Sequence, residues 1–320
     1  MKILHNKNYN LKNNNFISIN LHLDSLGESY GWPDDFVNDS AFSVGLERIG
    51  KILKKFKIPI TVFVVGKDLE NKKNLDLLKK FMNGNDVEIA NHSYTHQFDL
   101  GSKSYEEIYR DIYLSHEIIY KKLKVEAKGF CSPAWNFSQK IVKVLEKLNY
   151  NYDTSSFNSL WLYPVVAKIL FNHLINFNFE KSFKILKRKD YLLMLSHKQN
   201  PFFLKKNSKA KNKILEIPMP SISKFDLPIW HTIGFIFGFD YLVSKVKKYL
   251  EKNTFLNYVI HPADFLVKSD LDKRYINSLN RISNIQIKEK LLNFEKILEI
   301  GIQNKLNFIK VNDYFNNYVK

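Results

Sequence analysis

Residues 88–98, EIANHSYTHQF, set His92 and His96 four positions apart, directly after a short apolar run, in a chain that has nine histidines. Imidazole is the side chain best suited to hold Zn or a similar ion at neutral pH, and an i, i+4 pair on a helical turn points both rings the same way. Two donors do not make a site. A carboxylate must complete the set, and a catalytic ion keeps a position open for water. Asp24, at the end of the earlier run FISINLHLD, is the natural third ligand. Taken alone, the spacing fits surface or core histidines equally well.

The elements that carry these residues alternate. FISINLHLD reads as a buried strand followed by a polar loop, and SVGLERIGKILKKF as an amphipathic helix closed before Pro59. PITVFVVG is a second buried strand, 71–83 a basic helix, and DVEIA a third strand. The alternation continues with SYEEIYRDIYLSHEIIYKKL and SQKIVKVLEKLN as helices and AKGFCSP and YNYDTSS as strand ends. After a break it returns with KILEIPMP, a helix over 241–251, the strand FLNYVIHP, a helix over 287–300 and a closing NFIKVNDYF. Strands alternating with helices of this length predict a parallel sheet, whose ligand site lies at the C-terminal ends of the strands. Asp24, His92, His96, the stretch from Ser132 to Trp135, and Asp153 all fall at that edge. For Asp153, capping a loop is an equal alternative.

Residues 158–215 interrupt the rhythm. Eleven Lys or Arg stand against two acidic residues over 180–213, interleaved with aromatics. The expected organisation is an N-terminal tail over 1–15 and one domain over 16–320, with this stretch as an insertion. Its Lys and Arg could meet an anionic membrane surface, or form a solvated lid.

Hydrophobic residues at 45% and charged residues at 25% describe a globular chain of 320 residues, and no apolar run reaches the roughly 18–20 residues of a membrane helix. The net charge of +17 follows a general abundance of Lys; without a nucleic-acid module it does not predict a nucleic-acid partner. No export signal is visible at the N-terminus, and Cys131 is the single cysteine, so a cytoplasmic setting is expected.

The order of motifs resembles the polysaccharide deacetylase family: an Asp after the first strand, NHSYTH after the third, GFCSPAWNFSQKIVKVLEKLNYNYDTSSF, and YVIHPADF near the end. The resemblance runs from about residue 16 to residue 318. It implies a distorted (β/α) barrel of about seven strands and metal-dependent hydrolysis of an acyl group on a carbohydrate. It further implies that Asp24, His92 and His96 bind a divalent metal, usually Zn. His261 would protonate the leaving amine, because an amide anion is too unstable to depart. Ser132, Pro133 and Trp135 would line the substrate groove, with a backbone N–H for the oxyanion. A cytoplasmic member would meet a nucleotide-linked or polyprenyl-phosphate-linked sugar in the synthesis of a surface glycan; relatives that deformylate lipid-linked aminosugars are a close variant.

Two departures stand together. The family's aspartate base lies one or two residues before the metal aspartate, where this chain has Leu23 and His22. The arginine that pairs with that base is replaced by Cys131. Losing both is coherent, since either one left unpaired in the interior would cost several kcal/mol. His22 then acts as the base, or as a further ligand on the face it shares with Asp24, or the barrel binds sugar without catalysis.

Overall fold

The strand β1 (Phe16–Leu23) is buried at all positions but its first, and it lies between two parallel neighbours, β2 (Ile60–Val64) and β8 (Phe255–Ile260). Such runs are apolar throughout because both faces are covered. Burying each of Ile60, Val62, Phe63 and Val64 contributes about 1.5–3 kcal/mol. The structure, a computed structural model, describes residues 15–27, 39–161, 163, 164, 167, 171, 197–204, 213–272 and 284–319.

Outward from β2 the sheet continues with β3 (Val87–Asn91), β4 (Gly129–Phe130), β5 (Tyr152–Asp153) and β7 (Leu215–Glu216), all parallel. Seven parallel strands therefore follow one another in the order β7-β5-β4-β3-β2-β1-β8. This is the distorted barrel expected from the sequence. Two short strands are added to it. The two-residue β6 (Phe202–Phe203) runs antiparallel to β7, and β9 (Asn307–Phe308) takes the start of β1 that β2 leaves open. Between β7 and β8 the approach is made by a side chain: Asn257 donates to the carbonyls of Ile217 and Pro218 at 3.4 Å. Asn20 on β1 donates in turn to Asn257.

The helices cover the outer face. α1 (Leu46–Phe56) follows a π-helical turn at Ala41–Gly45, turns Leu46, Ile49, Ile52 and Leu53 inward, and ends at Lys57 in the left-handed conformation. α2 (Lys72–Gly84) starts on the Asn71 side chain, and α4 (Gln139–Lys147) on that of Ser138. α3 (Tyr105–Leu123) opens with a Ser104/Glu107 capping box, in which each side chain satisfies the other residue's backbone N–H. The C-terminal part adds α5 (His231–Phe237), α6 (Phe239–Leu250), α7 (Ile287–Gln303) and α8 (Val311–Val319). The sequence pattern did not reveal α5, and the closing NFIKVNDYF divides between β9 and α8.

No helix among the described residues is long and apolar enough to cross a membrane. The tail over 1–14 and most of the basic stretch over 158–215 lie outside the described residues.

Candidate metal and acyl-transfer site

The rim formed by the C-terminal ends of the parallel strands gathers the residues singled out above. Asp24 leaves β1 and His92 leaves β3, with Asp24 Oδ1 3.5 Å from His92 Nε2. Asp24 Oδ2 lies 3.7 Å from His96 Nε2. The donor atoms of these three buried residues all lie within 4.8 Å of one another. One carboxylate and two imidazoles at this spacing suit a divalent ion of the Zn type. His92 Nδ1 sits 2.6 Å from the Cys131 carbonyl; a carbonyl accepts only from an N–H, which places the proton on Nδ1 and leaves Nε2 as a lone-pair donor toward Asp24 and His96. The residues present fit such a metal.

The two histidines do not share a helical turn. They lie in an irregular loop whose Ser93 and His96 both take the left-handed conformation, at φ 69° and 50°. For a side chain with a Cβ that costs about 1–2 kcal/mol, and the surroundings hold it in place. Asn91 Oδ1 accepts from Ser93 N, and Ser93 Oγ from His96 N. Asp111, reaching in from α3, accepts from Tyr94 N, Thr95 N and Thr95 Oγ1. Gly66 N and Lys67 N, just past β2, donate to the carbonyls of Ser93 and Tyr94. Gly66 has to be glycine there, because a Cβ would come within 2.8 Å of Ser115 Oγ and 2.9 Å of Ser115 Cα. Burial pushes the Asp111 carboxyl up, against the pull of these hydrogen bonds. Asp111 was not singled out from the sequence. Its signal is a carboxylate in the inward stripe of α3, beside Ile108, Ile112 and Ser115.

His22 packs among the other imidazoles, its ring 4.8 Å from His92 and 5.3 Å from His261. Burial first, and then His92, His261 and His96, hold it well below the ordinary histidine range. It is therefore neutral at neutral pH, as a base or a ligand must be. The group with metal-donor spacing among the described residues is Asp24, His92 and His96, without His22. His261 follows β8 and is the most open of these histidines, with 24% of its side chain exposed. Asp264 Oδ2 accepts its backbone N–H at 2.9 Å and lies 4.0 Å from its Nδ1. Thr232 donates to the other oxygen of Asp264.

Of the expected groove residues, Ser132, Pro133 and Trp135 all lie at this rim and all are buried. Trp135 stacks on Trp230 at 5.0 Å and 16°, with His22 5.8 Å and His261 6.5 Å away. Its N–H donates to the Ser132 carbonyl, and that of Ser132 to Ser155 Oγ, so neither is available to an oxyanion. Cys131 is fully buried, and its thiol is held well above the ordinary range by burial and by nearby Asp153, Glu216 and Asp24. It is a neutral packing group where the family has an arginine. Asp153 points into the interior, not over the rim, against Glu216 of β7.

Residues 36–152 match the family model described as polysaccharide deacetylase. A peptidoglycan deacetylase of Helicobacter pylori is 29% identical over 132 residues, which cover 40% of this chain and 43% of that protein, less than half of each. Among solved structures, a Mycobacterium smegmatis protein assigned as a polysaccharide deacetylase superimposes with a TM-score of 0.59 at 13% identity, over 94% of this chain and 88% of that one. The allantoinase Puue also gives 0.59, at 12% identity, over 94% of this chain and 89% of that one. At these identities the likeness is one of fold.

Proposed function

We propose that this chain, a member of the polysaccharide deacetylase family, is a metal-dependent hydrolase that removes an N-acyl group, in the first instance acetyl, from a sugar. The observation that supports this best is the convergence of Asp24, His92 and His96 with His22 and His261 at one rim. The first three would hold a divalent ion, for which Zn fits the donors. When bound, that ion supplies Lewis acidity, polarising the scissile carbonyl and acidifying water.

The other residues act around it. Neutral His22 takes the proton from the attacking water on a ring nitrogen, the role of the absent carboxylate. His261, with Nδ1 turned to Asp264, presents Nε2 to the leaving nitrogen and gives it a proton. Trp135, backed by Trp230, forms a dry wall beside both histidines and restricts where the sugar can lie.

The substrate proposed is a nucleotide-linked or polyprenyl-phosphate-linked sugar of surface-glycan synthesis, met on the cytoplasmic side. Contact of the basic stretch over 158–215 with an anionic membrane belongs to the same reading. Sedimentation with anionic but not neutral vesicles supports that contact, and equal recovery with both removes it.

A second reading, a carbohydrate-binding barrel without catalysis, draws on the buried, neutral Cys131 in place of the family's arginine. The deciding experiment is elemental analysis of protein purified without added metal, with mass spectrometry of free, nucleotide-linked and polyprenyl-phosphate-linked N-acyl sugars after incubation. Loss of an acyl group supports the hydrolase, and formyl instead of acetyl would make it a deformylase. Metal-loaded protein that leaves every sugar intact overturns the hydrolase and favours the binding barrel.

A further inference from the structure

We propose that Asp153 and Glu216 share a single proton and, through Ser155, position the segment 132–135 at the rim. The two residues are direct partners in the parallel ladder of β5 and β7, both are fully buried, and their carboxyls lie close enough to act on each other directly. One oxygen of each is served by the protein. Asp153 Oδ1 accepts from Ser155 N and Ser155 Oγ, and Glu216 Oε1 accepts from Ser156 N at 2.8 Å. Asp153 Oδ2 and Glu216 Oε2 have no protein donor among the described residues, and no described lysine or arginine pairs with either carboxyl.

Two ionised carboxylates side by side in a dry interior repel strongly, and among the described residues no cation offsets this. One proton removes the repulsion and supplies the missing donor. Burial accordingly raises Asp153 to about 7 and Glu216 well above the ordinary glutamate range, the latter pushed further by Asp153. The remaining groups facing the pair are the Cys131 thiol just past β4 and Ser156, whose Oγ lies 2.6 Å from His197 Nδ1.

The effect reaches the rim through one atom. Ser155 Oγ donates to Asp153 and accepts the N–H of Ser132 at 2.8 Å. Beyond Ser132, Ala134 and Trp135 both stand at positive φ, 48° and 50°, a conformation that persists only where neighbours hold it. Because both carboxyls are raised on folding, their stabilisation is complete at acid pH and is lost as pH rises, the Asp153 contribution between about 4 and about 7 and that of Glu216 further up. Losing the last proton drives the carboxyls apart, frees Ser155 and loosens the Trp135–Trp230 stack. These are positioning residues, and the proposal concerns the protein's own state, so it can fail while the hydrolase reading stands, and the reverse.

The test uses the full chain with Trp32 and Trp161 changed to Phe, leaving only the stacked indoles. Near-ultraviolet circular dichroism is followed over roughly pH 5 to 9, with His22 and His261 beside Trp135 present in both proteins compared. Glu216→Gln, whose amide donates permanently to Asp153, should remove a transition on the alkaline side of neutrality and keep the spectrum of the proton-sharing pair throughout; Asp153→Asn serves if that variant does not fold. Identical pH dependence in parent and variant overturns the proposal. In the parent itself, the infrared carbonyl band of a protonated carboxylic acid should be present on the acid side and fade above neutrality, and its complete absence likewise overturns it.

Discussion

The ring of His22 lies 4.8 Å from that of His92, yet His22 stands outside the trio of donors that share metal spacing. Its position two residues before Asp24 puts it on the inward face of β1, where the polysaccharide deacetylase family carries a carboxylate. His22→Asn should therefore keep metal content at the parental level and lower turnover of the N-acyl sugar by about 10²-fold, the usual contribution of a general base. Loss of metal from this variant, read by elemental analysis, would make His22 a ligand instead.

Asp24→Ala, His92→Ala and His96→Ala should each lower metal content, because two remaining protein donors are too few for an open catalytic site. His261→Ala should keep the metal and lose turnover. Full occupancy in the three ligand variants would place the metal elsewhere, and normal turnover by His261→Ala would remove it as the acid.

Asp111 accepts three hydrogen bonds from the loop that carries His96. Asp111→Ala should destabilise the fold by about 1–3 kcal/mol, the cost of leaving buried donors unmet, and should weaken metal binding although Asp111 is no ligand. Asp111→Asn, which keeps an acceptor, should do less of both. Urea unfolding and metal titration of the two variants check this.

Lys290 on α7 is fully buried beneath the loop that follows His261, donating to the Leu266 carbonyl. Burial lowers it from 10.5 to about 8. A lysine lowered on folding binds fewer protons in the folded state, so stability must rise as pH goes from about 8 to about 10.5. Relative to Lys290→Met, the parent should gain up to about 3 kcal/mol across that window. A constant difference between the two in urea unfolding at several pH values would contradict it.

Much of this was legible in the chain itself. Period-two and period-3.6 patterns belong to short windows, so the strands ending at Asp24, His92 and His261 and the helices between them could be read locally. The HxxxH spacing, with the order of motifs, likewise marked one rim. What the local pattern could not contain is the geometry that depends on remote partners. The left-handed turn at His96 exists because Asp111, on a later helix, and Gly66, just past an earlier strand, hold the loop. Asp153 became an interior carboxyl only when β7 laid Glu216 against it, across the long break between β5 and β7. A helical turn was the natural reading of i, i+4. Tertiary hydrogen bonds, together worth more than the 1–2 kcal/mol of a strained φ, decided otherwise.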